Sequence, residues 1–279
     1  MNLLQSASKV SKLPGLQFLS PARNTLPSEE ERSAFLKTQK IAFRAVKEVA
    51  SLMQEGWTEK KAAAMVDTYL KDLGVHAFFH AGFAWFGERA GFHGMRHYKD
   101  FMPSDRVLLP GEVFILDVAP IYQGHVADVG FTASLGTNEA LKEAMDLLSK
   151  FREEIPILFK EKKNGADVWK TIDAQIRAAG FGNAYKKYPF GVIGHRVHQV
   201  PEWSPELQFL KFGWQSIWSI ASRGVFGQLL NKDFHGDTVG LWAIEPHLSG
   251  KNFGAKFEEI LVVTKEDAYW LDTHCAWRD

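Results

Sequence analysis

A chain of 279 residues with 46% hydrophobic content can bury a large core, as one big domain or two fused halves. Lys+Arg and Asp+Glu both number 33, so the formal charge is zero and neither nucleic acid nor an anionic membrane is indicated as a partner. The one cysteine, Cys275, excludes an internal disulfide, the N-terminus lacks the continuous apolar core of a signal peptide, and no stretch approaches the roughly 18 apolar residues of a membrane span, so a cytoplasmic protein is expected.

Residues 1–27 mix Pro, Ser, Asn and Lys without periodicity and read as an irregular leader. Ser28 and Glu31 fit a capping box, and Phe35, Ile41, Ala42, Ala45 and Val49 recur at helical spacing up to a stop at Gly56. Thr58 caps a second helix through Leu73, closed by Gly74, and from about 76 to 135 the pattern changes to strands and loops. The order then repeats, with helices from about Asn138 to Lys162 and Ala166 to Ala179, a stop at Gly180 and Gly182, and strands from about 188 to 271. Pro156 should kink or break the longer of these helices. The fold expected is α+β: a single domain over 28–279, built of two similar helix-helix-strand halves at about 28–136 and 137–279.

Carboxylates interrupt the strands. In "ILDVAPIYQGHVADVG", Asp117 and Asp128 lie directly opposite each other if the turn centres on Tyr122-Gln123. Like charges so placed repel, and burial makes an unpaired carboxylate take up a proton or find a cation. A bound metal is the simplest explanation. In "LWAIEPHLSGKNFGAKFEEILVV", Glu245 and Glu258 pair across a turn at Lys251-Asn252, with Glu259 pointing to the opposite, solvated face. Four carboxylates with one or two imidazoles form a site for one or a pair of divalent cations. His195 and His198 have odd spacing, so only one can line the site without a bulge. His80, His93 and His125 receive no role.

The order of these residues resembles the pita-bread metallopeptidases: methionine aminopeptidase, aminopeptidase P, prolidase and creatinase. The similarity covers roughly residues 30 to 271 and includes "LLPGEVFILDVAPIYQGHVADVGFTASLG", "IEP" and "FEEILVVT". It implies the pita-bread fold, with a curved antiparallel sheet, and Asp117, Asp128, Glu245 and Glu258 as metal ligands. His97, in "MRHY", is similar to the family's substrate-side histidine. His198, in "VHQVP", is similar to the histidine that helps polarise the scissile carbonyl. The family's ligand histidine lies seven positions earlier, where this chain has Gly191, so His195 is the expected substitute.

The implied function is hydrolysis of C–N bonds in small peptides or other amides, by an aminopeptidase or Xaa-Pro-type dipeptidase. Two divalent ions (Mn²⁺, or alternatively Fe²⁺, Co²⁺ or Zn²⁺) would carry a bridging hydroxide, with Glu245 shuttling the proton, His97 orienting the substrate and His198 polarising the carbonyl. A catalytically silent binding module and a creatinase-like amidinohydrolase are the alternatives. The stretch 203–242, with Trp203, Trp214, Trp218, Trp242, Phe209, Phe212, Phe226 and Phe234, looks like an insertion, used as a lid or a homodimer contact.

Overall fold

The structure, a computed structural model, describes residues 26–162, 164–200, 208–209, 211–213 and 228–278. The leader expected at 1–27 therefore lies outside the described residues except for Leu26 and Pro27, as do Trp203, Trp214, Trp218 and Phe226. The first half opens with helix α1 (Glu29–Leu52), where Ser28 Oγ accepts from Glu31 N and the Glu31 carboxylate accepts from Ser28 N. Helix α2 (Glu59–Asp72) is capped by Thr58, whose hydroxyl accepts from Lys61 N. Strands β1 (Ala77–Phe86), β2 (Val113–Tyr122), β3 (His125–Val126) and β4 (Val129–Ser134) follow.

The second half repeats this order with α3 (Glu139–Lys162) and α4 (Gly165–Ala178), and the helix lengths, 24 and 14 residues, are the same in both halves. Its strands are β5 (Gly182–Asn183), β6 (Gly194–Arg196), β7 (Gln208–Phe209), β8 (Phe212–Gly213), β9 (Leu229–Leu230), β10 (Gly240–Ile244), β11 (His247–Ser249), β12 (Gly254–Lys256), β13 (Glu259–Val263) and β14 (Ala268–Trp270). Antiparallel ladders order them as β3-β2-β1-β8-β7 with β4 on β2, β14-β13-β10-β6-β9, and β12-β11-β5. The Thr132 hydroxyl joins the halves, donating to Lys256 O at 2.7 Å and accepting from Lys256 N at 2.9 Å. One apolar core runs through both, holding Val46 and Leu70 together with Phe151, Ile172 and Trp242. No helix among the described residues is long and apolar enough to cross a membrane.

The two acidic hairpins differ in how they meet expectation. Ile244 faces Glu259 and His247 faces Lys256, so the second hairpin turns about Lys251-Asn252 as expected and Glu245 stands opposite Glu258. In the first, Ile121 faces Val126 and Asp117 faces Gly130, which moves the turn to Gln123-Gly124. Both turn residues have positive φ, 50° and 75°, the geometry of the tight hairpin turns that suit twisted strands. Asp128 thus falls in the break between β3 and β4, diagonal to Asp117 rather than directly across from it.

Three further expectations change. Helix α3 runs through Pro156 without a break. Proline has no N–H to give the Arg152 carbonyl one turn back, and the indole Nε1 of Trp270 donates to that carbonyl instead, at 2.6 Å. Glu259 is not solvated but fully buried, held by Arg152 Nε and Nη2 at 2.7 and 2.9 Å and by the Trp277 indole, because helices cover that face of the sheet. Of the aromatic-rich stretch, Phe212 belongs to a short hairpin that pairs with β1 opposite His80, and Trp242 lies in β10 as part of the core.

Candidate metal centre

The acidic residues meet where the two halves join. Asp117 comes from β2, Asp128 from the break after β3, Glu245 and Glu258 from the breaks beside β10 and β13, and all four are buried. His195, on β6 opposite Ala243, brings Nε2 to 3.0 Å from Asp128 Oδ2 and 3.7 Å from Glu258 Oε1. His80 joins them, its Nε2 3.1 Å from Asp128 Oδ1 and 3.4 Å from Asp117 Oδ1. Register shifts on either side of His80 in β1 mark the bulged stretch that carries it. The sequence reading passed it over, although a single histidine inside the apolar run "AFFHAGFAWF" poses the same question as the two aspartates.

These donors fit a divalent cation. Two groups, His80–Asp117–Asp128 and Asp128–His195–Glu258, each bring three ligand atoms within 4.8 Å of one another. In both histidines Nδ1 faces a backbone carbonyl, Ala81 O at 3.1 Å and Arg196 O at 3.2 Å. With a cation between ring and carboxylates, a proton on Nδ1 donating to that carbonyl would leave the Nε2 lone pair for the ion, the orientation of a metal-ligating imidazole. Phe79 stacks parallel to the His195 ring at 5.7 Å and holds its plane. Burial disfavours the cationic form of His80, but Asp128 and Asp117 outweigh it and raise the pKa to about 9. Burial also works against ionisation of Asp128, and the two histidines reverse the effect and hold it well below the usual carboxylate range. Glu258 goes the other way, pushed up by burial and by the neighbouring Asp128 and Glu245.

A lysine completes the cluster. Lys256 Nζ donates to Asp117 Oδ2 at 2.6 Å, Glu245 Oε2 at 2.8 Å and Glu258 Oε2 at 2.9 Å, with Tyr188 OH at 3.2 Å. Burial alone would depress its pKa, yet the three carboxylates raise it well above the lysine range, so the side chain is an ammonium. The sequence reading missed Lys256. The signal lay in strand alternation, since residue 256 is two positions before Glu258 and shares its face.

The expected histidines divide. His198 lines the cavity above the cluster and pairs through Nε2 with Gln228 Oε1. His97 does not reach it: the residue is exposed, starts a short 3₁₀ turn, and its backbone N–H donates to Asp100 Oδ2 at 2.8 Å. The cavity, of about 230 Å³, has the acidic cluster in one wall and Phe79, Phe83, Trp85, Tyr98, Phe101 and Phe212 in the rest. From the turn that His97 starts, Tyr98 and Phe101 line the cavity and His97 does not.

Known proteins share this fold. The X-Pro aminopeptidase of Thermotoga maritima superposes with a TM-score of 0.67 over 90% of this chain and 63% of its own, at 19% identity. The prolidase of Pyrococcus furiosus gives 0.64 over 91% and 67%, at 18% identity. In sequence, a methionine aminopeptidase of Thermococcus onnurineus is 28% identical over 173 residues, which are 61% of this chain and 53% of that protein. An uncharacterized peptidase of Staphylococcus aureus is 26% identical over 171 residues, 46% of its length. The chain thus spans about half the length of the curated relatives it matches. These superpositions give it the pita-bread fold of prolidase and aminopeptidase P. Because the profile of metallopeptidase family M24 matches residues 33–265, most of its length, the chain belongs to that family.

Proposed function

We propose that the chain is a metal-dependent peptidase acting at the N-terminal end of small peptides, as an aminopeptidase or a dipeptidase of the Xaa-Pro type. The observation that carries this reading is the convergence of Asp128, His195 and Glu258, with Asp117 and Glu245 beside them, on the wall of an aromatic cavity. Oxygen-rich donors with one or two imidazoles suit Mn²⁺ first, and also Fe²⁺, Co²⁺ or Zn²⁺. A divalent ion held there supplies Lewis-acid polarisation of a carbonyl and an acidified water.

The chain's own groups supply the rest. Glu245, buried, with Oε2 engaged by Lys256, is the group to carry a proton to the leaving amine through its other oxygen. His198 can donate from Nε2 to the scissile carbonyl once that oxygen replaces Gln228 Oε1 as acceptor. The aromatic wall favours a bulky apolar side chain in the substrate and excludes water from it. Similarity to proteins named methionine aminopeptidase, X-Pro aminopeptidase and prolidase supports this class of reaction.

The test is hydrolysis of a peptide panel (Met-Ala, Leu-Ala-Ala, Phe-Pro, Gly-Pro) with Mn²⁺, Co²⁺, Zn²⁺ or Fe²⁺ added to chelator-treated protein. Metal-dependent release of the apolar N-terminal residue, lost in Asp128→Asn, is expected. No turnover with any of the four metals would leave the scaffold as a binding module.

A further inference from the structure

Lys256 stands where a second metal ion would draw its ligands. Its ammonium takes one oxygen from each of three carboxylates at 2.6–2.9 Å, and those three belong to the four-carboxylate set expected to hold a pair of ions. Asp117 is the most affected. Its Oδ2 is bound by Lys256 at 2.6 Å, the shortest of the three contacts, and its Oδ1 faces His80 Nε2 at 3.4 Å. Glu258 keeps Oε1 turned to His195, and Asp128, which Lys256 does not touch, meets His195 through Oδ2 and His80 through Oδ1.

The placement of Lys256 is built into the fold. The residue is fully buried, its backbone N and O are both held by Thr132, and its stem lies against Gly130, the residue directly across the ladder from Asp117. A side chain at 130 would fill the channel the stem occupies. A cation delivered this way cannot diffuse out, and a divalent ion sharing the same oxygens would meet both its charge and its volume.

We propose that Lys256 is a covalently tethered cation occupying one of the two ion positions, so that the chain binds one divalent ion, on Asp128, His195 and Glu258, instead of two. The inference rests on the peptidase reading above for the existence of a metal site, and it specifies that site's stoichiometry. Removing the ammonium without changing the bulk of the side chain should open the second position.

The experiment counts metal rather than activity. Chelator-treated wild-type chain, Lys256→Met and Lys256→Arg are titrated with Mn²⁺, the bound equivalents are measured by calorimetry and elemental analysis, and the electron paramagnetic resonance spectrum shows whether ions are isolated or exchange-coupled. The wild type and Lys256→Arg should bind about one equivalent with an isolated-ion spectrum, and Lys256→Met about two with a coupled one. Two tightly bound, coupled ions in the wild type would overturn the proposal while leaving the peptidase reading standing, and this result needs no variant to fold. One equivalent in a folded Lys256→Met would overturn it as well. No metal in any of the three proteins would overturn both readings.

Discussion

Gly130 and Lys256 share one space: the hydrogen atoms of the glycine leave the channel through which the lysine stem reaches Asp117, and a methyl group there would overlap Lys256 Cε. The stem is flexible, but its two ends are fixed, by Thr132 at the backbone and by three carboxylates at Nζ. Gly130→Ala is expected to destabilise the protein by about 1–3 kcal/mol, the usual cost of overpacking. In a Lys256→Ala background the same change should cost less, giving a coupling of roughly 0.5–3 kcal/mol in a double-mutant cycle read by urea denaturation. Additive losses would separate the two residues.

Asp128 faces both histidines, whereas Asp117 faces Lys256 and His80. Removing metal and adding Mn²⁺ back at a hundred times its dissociation constant should stabilise the wild type by about 2.7 kcal/mol. Asp128→Asn should lose this gain. Asp117→Asn should keep most of it. Thermal melts with and without Mn²⁺ check both, and a full metal-induced shift in Asp128→Asn would remove that residue from the ligand set.

His195 and His198 separate ligand from polariser. His195→Ala removes an imidazole from the Asp128–Glu258 triad and should weaken Mn²⁺ binding by about tenfold or more. His198→Ala removes a group that touches Gln228 above the cluster, and should lower kcat by roughly a hundredfold at unchanged metal occupancy. Metal analysis beside kinetics on the two variants gives the answer; full occupancy in His195→Ala would reverse the assignment.

The Arg106–Glu112 pair gives a pH dependence away from the site. Partial burial opposes ionisation of Glu112, but two hydrogen bonds from the Arg106 guanidinium and one from Leu109 N outweigh it and lower the pKa. An acid with a lowered folded-state pKa adds stability at neutral pH, and that stability is lost as pH falls through the folded value. Glu112→Gln should therefore cost up to about 1 kcal/mol at pH 7. Its denaturation midpoint and that of the wild type should converge in acid.

Much of the frame is legible in the sequence because local signals and tertiary structure agree. Ser28 with Glu31 and Thr58 cap helices as their spacing indicates, and the Lys251-Asn252 turn sets the register that places Glu245 opposite Glu258. The Gln123-Gly124 turn differs by one residue, because backbone geometry at the glycine decided between two turns that the apolar pattern allowed equally. Glu259 was misread because alternation tells which face a residue takes but not what covers it; here Arg152 from α3 does. His80 and Lys256 were missed for a related reason. Both charges are tolerated in the interior only because residues distant in the chain meet them there, Asp128 for the histidine and Asp117 for the lysine.

Pro156 has a consequence for engineering that helix propensity would misjudge. Replacing a proline in the middle of a helix by alanine ordinarily returns something near 3 kcal/mol. Here the carbonyl that the new N–H would claim already serves as the docking point for the Trp270 indole, and through it for β14 against α3. Pro156→Ala would set a helical amide and a tryptophan competing for a single acceptor. The substitution should give a much smaller gain than usual, with a change in Trp270 fluorescence as the last strand loosens; the imino acid works in this chain as a vacancy kept open for the other end of the polypeptide.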